Sequence, residues 1–165
     1  MPNAPGVWGP VLVAALFGSL VFPQDQVTQS RSRFAHESDP VRKARLMPDL
    51  GDAEFAEIRK DVEAGHLPDA LSVLQEYRDE AQSCVKALGA AGIDAEKHSS
   101  GFKQLEISLQ ESLRRLDALL PNMTVDEQAP FLEVRKDLDN MNRHLIEELF
   151  PRRAPPAEKP EKPGQ

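Results

Sequence analysis

The residues best suited to chemistry in this chain are four histidines, one cysteine and scattered carboxylates. Glu63 and His66 stand in the Glu-x-x-His spacing that supplies metal ligands in di-iron helical bundles. Such a centre needs two copies of that pair and two further glutamates, and Gly65 interrupts the single copy present here. The spacing therefore predicts no metal site. The remaining histidines lie on separate segments, at His36, His98 and His144.

Nucleophilic side chains are equally isolated. Cys84 is the only cysteine, so the monomer can form neither an internal disulfide nor a multi-cysteine metal site, and we predict a small buried hydrophobe. Ser99 and Ser100 precede an apolar helical pattern and are interpreted as helix caps, because the sequence nominates no base to activate them. Gly-rich phosphate loops, His-Glu-x-x-His and haem-attachment motifs do not occur. We therefore predict no enzyme activity, no catalytic residue and no cofactor.

The charge balance argues against a nucleic-acid-binding surface. The 165 residues include 27 acidic and 20 basic side chains, a formal net charge of −7, whereas phosphate recognition depends on clustered Lys and Arg. The one basic stretch is short and is diluted by Glu37 and Asp39. Two interpretations of it stay open, a solvated linker or contact with an anionic membrane surface. Its members are Arg31, Arg33, Arg42, Lys43 and Arg45.

The N-terminus predicts export from the cytoplasm. Val11 to Phe22 is an almost wholly apolar run, and the first charged side chain is Asp25. A run of about 12 residues matches the apolar region of a secretory signal and is short for a membrane span, which needs about 20. Residues 1–24 are therefore a signal peptide cleaved near Gln24 or, alternatively, an uncleaved membrane anchor. The expected location is periplasmic or secreted, with membrane anchoring if the N-terminus is retained.

Two flanking segments lack a hydrophobic period. Residues 25–38 are polar and are predicted to be a linker. Residues 151–165 are rich in Pro, Lys and Glu, which cannot form a core, and are predicted to be a disordered tail of polyproline character. The globular part is thus expected to be one domain over residues 39–150, a length that can fold alone.

Within that domain, apolar residues recur every three or four positions, the period of amphipathic helices. The main stripes predict helices near 52–64, 68–88, 100–120 and 130–149. A short extra helix is expected at 40–47, with Asp39 as N-cap and Pro40 in its first turn, ended by Pro48. Short connections favour antiparallel neighbours, and no strand pattern competes. The sequence therefore predicts an all-α fold, an antiparallel bundle of about four amphipathic helices with a short extra N-terminal helix.

The start of the last helix leaves two possibilities. Thr124 and Glu127 form a capping-box pattern, yet Pro130 would then lie inside the helix and remove a backbone donor. We favour a short turn at 124–128 followed by a helix with Pro130 in its first turn. A helix that begins at the box and kinks at Pro130 is the alternative.

Two short stretches resemble known families. Ala64 to Leu71 is similar to the centre of a tetratricopeptide repeat, where a Gly ends one helix and Ala70 allows the next to pack closely. Tyr77 stands where that pattern has a small residue, and Gln82 where a Pro is usual. This resemblance implies a helix hairpin and protein binding. Met123 to Gln128 resembles the Leu-Thr-x-x-Gln motif of small periplasmic helical stress proteins.

An export signal on a charged bundle without recognisable chemistry favours a non-enzymatic role. As a whole the chain resembles the small exported helical proteins of bacteria. We expect a protein-interaction or scaffold role in the bacterial envelope, with an unidentified protein partner and no nucleic acid. The alternatives are a membrane-tethered accessory protein, touching the membrane only through an uncleaved N-terminus, and a periplasmic stress- or chaperone-like helical protein. The sequence leaves the oligomeric state open.

Overall fold

The computed structural model describes residues 23–151, so all but the last two residues of the predicted signal or anchor and all but the first residue of the predicted tail lie outside the described residues. A 3₁₀ turn, Leu120–Asn122, joins the last two α-helices. Within residues 23–151 there is no strand, and the predicted all-α helical bundle is confirmed. The α-helices are α1 (Pro23–His36), α2 (Pro40–Glu63), α3 (Leu67–Ala90), α4 (Ser100–Leu119) and α5 (Val125–Leu149).

Helices α2 to α5 form a four-helix bundle, and α1 packs along α2. The pair α2 and α3 is one antiparallel hairpin, the pair α4 and α5 is a second, and the hairpins lie side by side with α2 against α4 and α3 against α5. Val41 approaches Gly101, and Asp52 pairs with Arg115 further along both helices, so α2 and α4 run parallel. The connection over residues 91–99 therefore carries the chain diagonally across the bundle.

The helix ends follow local signals in the sequence. The Asp39 side chain caps α2 as predicted, accepting a hydrogen bond from the Arg42 backbone N–H at 2.7 Å. Gly65 follows α2 in the left-handed region, with φ 77°, and creates the helix hairpin that the stretch around it predicts. Thr124 and Glu127 form a complete capping box at the start of α5.

The sequence predicts helix breaks at two prolines, and the structure corrects both. Pro48 lies inside α2, so the predicted short helix at 40–47 and the helix from residue 52 are one continuous element. Pro130 lies inside α5, which begins at Val125 directly after the capping box rather than at residue 130. Each proline removes only one backbone donor. Burial of apolar side chains along the continuous helix, such as Met47 and Phe131, outweighs that loss.

The polar segment predicted to be a linker, residues 25–38, is a helix instead. It forms α1, which buries Val27 and Phe34 against the bundle. Two apolar positions seven residues apart are too few to show a helical period in the sequence. Nζ of Lys43 lies 4.5 Å from the centre of the Phe34 ring, which adds a cation–π contact between α1 and α2.

A single core runs through the bundle and is built from the predicted stripes. Cys84 lies fully buried in it, as predicted, and burial raises the pKa of its thiol to about 12. Tyr77 is the largest fully buried side chain. The other fully enclosed large residues are Met47, Leu50, Phe55, Ile58, Leu74, Leu88, Leu105, Leu109, Leu116, Phe131 and Leu138.

Candidate functional site

A buried charged cluster lies where α1, α2 and α3 meet. Glu54 of α2 is fully buried at its centre. Nε of Arg31, on α1, donates to Oε1 of Glu54 at 2.6 Å. Nη1 of the same guanidinium pairs with Oε2 of Glu76, on α3, at 2.5 Å. One arginine thus joins three helices, although the sequence places it in a stretch expected to be solvated or to touch a membrane.

Glu80 of α3 completes the cluster beside Glu54. Oε2 of each glutamate is buried and receives no bond from the donor groups of the described residues. The two carboxyls are close enough that each affects the pKa of the other. Burial, reinforced by the charge of Glu80, raises the pKa of Glu54 to about 8 despite the opposing effect of Arg31. Burial likewise raises the pKa of Glu80, while Arg31 and Lys43 oppose the rise.

This cluster can hold and release a proton, but it has no route to a substrate, because Glu54 is enclosed by α1, α2 and α3. In residues 23–151 no group of three or more His, Cys, Asp or Glu side chains is placed to hold a metal ion. Arg31 is the cation that pairs with this cluster, through Glu54 and Glu76. The cluster is therefore a pH-sensitive attachment of α1 to the bundle.

A second polar group lies inside the core. The hydroxyl of Tyr77 is 2.7 Å from Oγ of Ser112 and 3.4 Å from Oγ of Ser108. Ser112 in turn donates to the backbone carbonyl of Ser108 at 2.9 Å. Gly51 of α2 lies against the Tyr77 ring, since a Cβ there would be 3.4 Å from it. These bonds satisfy the buried tyrosine and fix α3 against α4.

A small cleft of about 130 Å³ opens beside these serines, between α2 and α4. Its charged lining is already bonded internally. Arg115 pairs with Asp52 at 2.6 Å and with Glu111 at 3.3 Å, the second pair being an i, i+4 contact within α4. The hydroxyls of Ser108 and Ser112 are within hydrogen-bond distance of Tyr77. Among the described residues, neither hydroxyl is hydrogen-bonded to a carboxylate or an imidazole that could activate it as a nucleophile. The cleft offers no catalytic arrangement.

The residues that the sequence nominates for chemistry remain apart. Glu63 ends α2, and His66 lies beyond the turn at Gly65, so the Glu-x-x-His spacing brings no ligands together. Ser99 stands at the N-cap position of α4 as predicted, but its side chain makes no capping hydrogen bond, and Ser100 is the first residue of the helix. Ser99 has helical backbone angles, φ −67° and ψ −13°, which turn its side chain away from the free N–H groups. Ser100 instead accepts a hydrogen bond from Arg45 at 2.9 Å. The four histidines are all exposed: His36, His66, His98 and His144.

The outward face of α5 carries an uncovered apolar row. Val125 is 82% exposed, Leu132 44%, Ile146 37% and Phe150 67%. Within α5, residues at these spacings share one face, and this face points away from the buried stripe; Phe150 follows directly after Leu149, the last residue of the helix. The sequence predicts α5 from the spacing of its buried apolar residues, and these exposed residues give no separate signal. We call the following residues the α5 row: Val125, Ala129, Leu132, Lys136, Asp139, Arg143, Ile146 and Phe150.

The comparisons with known proteins identify no relative. No family model matches the chain, and neither the curated proteins nor the solved structures contain a match. None of the helices within residues 23–151 combines the length and the apolar character that a membrane span requires. The function is therefore argued from the described residues and the amino-acid sequence.

Proposed function

We propose that this chain is a non-enzymatic protein-interaction or scaffold protein of the bacterial envelope. The α5 row carries the interaction role. Exposed apolar side chains scattered over a surface need no explanation, but these lie in line on one helix. Burying them against a partner contributes about 25 cal/mol for each Å² of apolar surface removed from water. Val125 and Phe150, which mark the two ends of the row, are the most exposed of the large hydrophobic residues.

The envelope location rests on the N-terminal sequence. The apolar run that ends at Phe22 matches the central region of a secretory signal. This run lies outside the described residues, so it supports the location only through its composition.

A membrane-tethered accessory protein is the second candidate, and the placement of α1 favours it. α1 begins at Pro23, directly after the apolar run, and is attached to the bundle through Arg31 and Phe34. A retained N-terminus would therefore hold the bundle close to the membrane without a flexible linker. Mass spectrometry of the native chain decides between the forms. Loss of roughly 24 residues contradicts tethering, and an intact chain in the membrane fraction contradicts the free form.

The interaction role is tested by site-specific photo-crosslinking in the producing bacterium. A photoreactive residue replaces Leu132 on the α5 row or, as the matched control, the exposed Lys60 on α2, a helix that does not pack against α5. We expect a discrete adduct from position 132 and none from position 60. The absence of an adduct at 132, or the same adducts from both positions, would contradict the proposal.

A further inference from the structure

We propose that the α5 row binds the α5 row of a second copy of this chain, forming an antiparallel helix pair with two-fold symmetry. This inference rests on the proposed interaction role and names its partner. The order of residue types along the row selects that partner. Its eight members follow one another at alternating spacings of four and three residues, the spacing of a coiled-coil seam.

The apolar ends of the row match each other in one antiparallel register. With the two-fold axis passing between Asp137 and Leu138, Val125 faces Phe150 of the second copy, and Ala129 faces Ile146 of the second copy. Each apolar end thereby covers the other, and both ends are exposed in the single chain. Because the pair has two-fold symmetry, each of these contacts occurs twice in it.

The charged centre of the row is complementary to itself in the same register. Lys136 faces Asp139 of the second copy, and Asp139 faces Lys136 of the second copy. Leu132 faces Arg143 of the second copy, whose aliphatic stem can cover it. In a parallel pair the like charges would instead meet, Lys136 against Lys136 and Asp139 against Asp139. Charge therefore favours the antiparallel arrangement.

Lys136 is available for such pairing, and Asp139 would contact it in addition to Arg143 of its own chain. No ion pair of the described residues includes Lys136, and its side chain is exposed. Asp139 binds Arg143 of its own chain at 2.6 Å, so the two residues form an ordered acidic and basic edge beside Lys136. Phe131, Val134 and Leu138 point into the core from the other side of α5, so pairing needs no opening of the bundle.

The test measures the dimer dissociation constant of the full chain by sedimentation equilibrium. Lys136→Asp or Asp139→Lys alone turns both central contacts into like-charge contacts, and each should weaken the dimer about tenfold or more. The double variant Lys136→Asp/Asp139→Lys restores opposite charges and should return the constant to within about threefold of the original. Lys60→Asp, which changes charge equally at an exposed site on α2, should leave it unchanged.

Two results would overturn the self-pairing. One is a chain that stays monomeric at the highest concentration measured. The other is an association that ignores the single charge reversals, as expected if another surface or the apolar N-terminal residues drive it. A mixture of Ala129→Cys and Ile146→Cys chains tests the register, since it should form the mixed disulfide in preference to either like pair. Like pairs in excess would overturn the antiparallel arrangement.

The failure of this inference differs from the failure of the proposed function. A purified chain that remains monomeric, together with a photo-adduct from position 132 to a different envelope protein, overturns self-pairing and leaves the interaction role standing. A monomer that gives no adduct from position 132 overturns both.

Discussion

Glu54 occupies a position on α2 where the helical spacing predicts an apolar side chain, because Leu50 and Ile58 lie one turn away on either side. Burying two ionised carboxylates together costs several kcal/mol, since desolvation exceeds the attraction of any single partner. The raised pKa of Glu54 favours its uncharged form, and the salt bridge to Arg31 offsets part of the cost when Glu54 is ionised. A carboxyl in an apolar stripe is the one sequence signal that could have found this cluster.

We expect the chain to lose stability as the pH rises through 8. The pKa of Glu54 is about 8 in the folded protein, above its ordinary value of 4.5, so the folded state keeps a proton that the unfolded chain has lost. This contribution is fully present below pH 4.5 and is lost as the pH rises through 8. Glu54→Gln keeps an acceptor for Arg31 and supplies a permanent donor to Glu80. Its melting temperature should exceed that of the original chain by about 5 °C or more at pH 9, and by far less at pH 5.

The control for this prediction is Glu63→Gln, which removes an exposed carboxylate from the end of the same helix. Its melting temperature should follow the original chain at both pH values. A Glu54→Gln variant whose melting temperature changes with pH as the original does would contradict the raised pKa of Glu54.

Among the five helices, α1 depends most on a few contacts. Its described side chains bury only Val27 and Phe34, whereas each bundle helix buries a stripe along its whole length. The salt bridge from Arg31 to Glu54 and the contact of Lys43 with the Phe34 ring add to that attachment. Elements with little buried apolar surface open at lower free energy than the core around them. We therefore expect α1 to detach while α2 to α5 remain packed.

Phe34→Ala tests this by native-state hydrogen exchange. Loss of the buried ring should lower protection of the amides in residues 23–36 about tenfold or more and leave α3 and α5 unchanged, because α1 packs on α2. Ile107→Ala, which removes a large apolar side chain of α4 that is 53% exposed, should alter none of these amides. Equal loss of protection in α3 and α5 after Phe34→Ala would show that α1 unfolds only with the whole domain.

For the whole molecule, the side-by-side arrangement of the two hairpins depends on a close approach at Gly101. A Cβ at this position would lie 3.3 Å from Cα of Val41 and 3.2 Å from Cδ2 of Leu88, so a side chain here would push these neighbours away by a few tenths of an ångström. The backbone atom of Val41 cannot move without shifting α2. Gly101 thus allows α4 to begin close to α2 after the connection over residues 91–99.

Gly101→Ala should therefore destabilise the fold by about 1–2 kcal/mol in urea unfolding, even though alanine favours a helix. Gly89→Ala is the matched change in α3, where a Cβ would meet nothing within 4 Å. That variant should gain up to about 1 kcal/mol from helix propensity. A Gly101→Ala chain as stable as Gly89→Ala would contradict the close approach.

The sequence by itself determined the helical class and most of the helix positions, because these depend on spacing and capping within a few residues. The stripes that contain Ile58, Leu74, Leu109 and Leu138 are all buried, and Asp39 caps the helix it was predicted to start. It also predicted the burial of Cys84. The export, the envelope location and the partner stay predictions, since they rest on residues or molecules outside the described structure.

The tertiary structure decided what depends on neighbours distant in sequence. Whether Pro48 and Pro130 interrupt a helix was settled by the apolar surface that a continuous helix buries, which no local signal reports. A polar segment forms α1, which is attached to the bundle by the salt bridge from Arg31 to Glu54, 23 residues away in the sequence. The α5 row was recognisable only once the buried face of α5 was known, because the sequence alone does not distinguish an exposed apolar residue from a buried one. In each case the physical reason is that burial and charge pairing are properties of surfaces in contact.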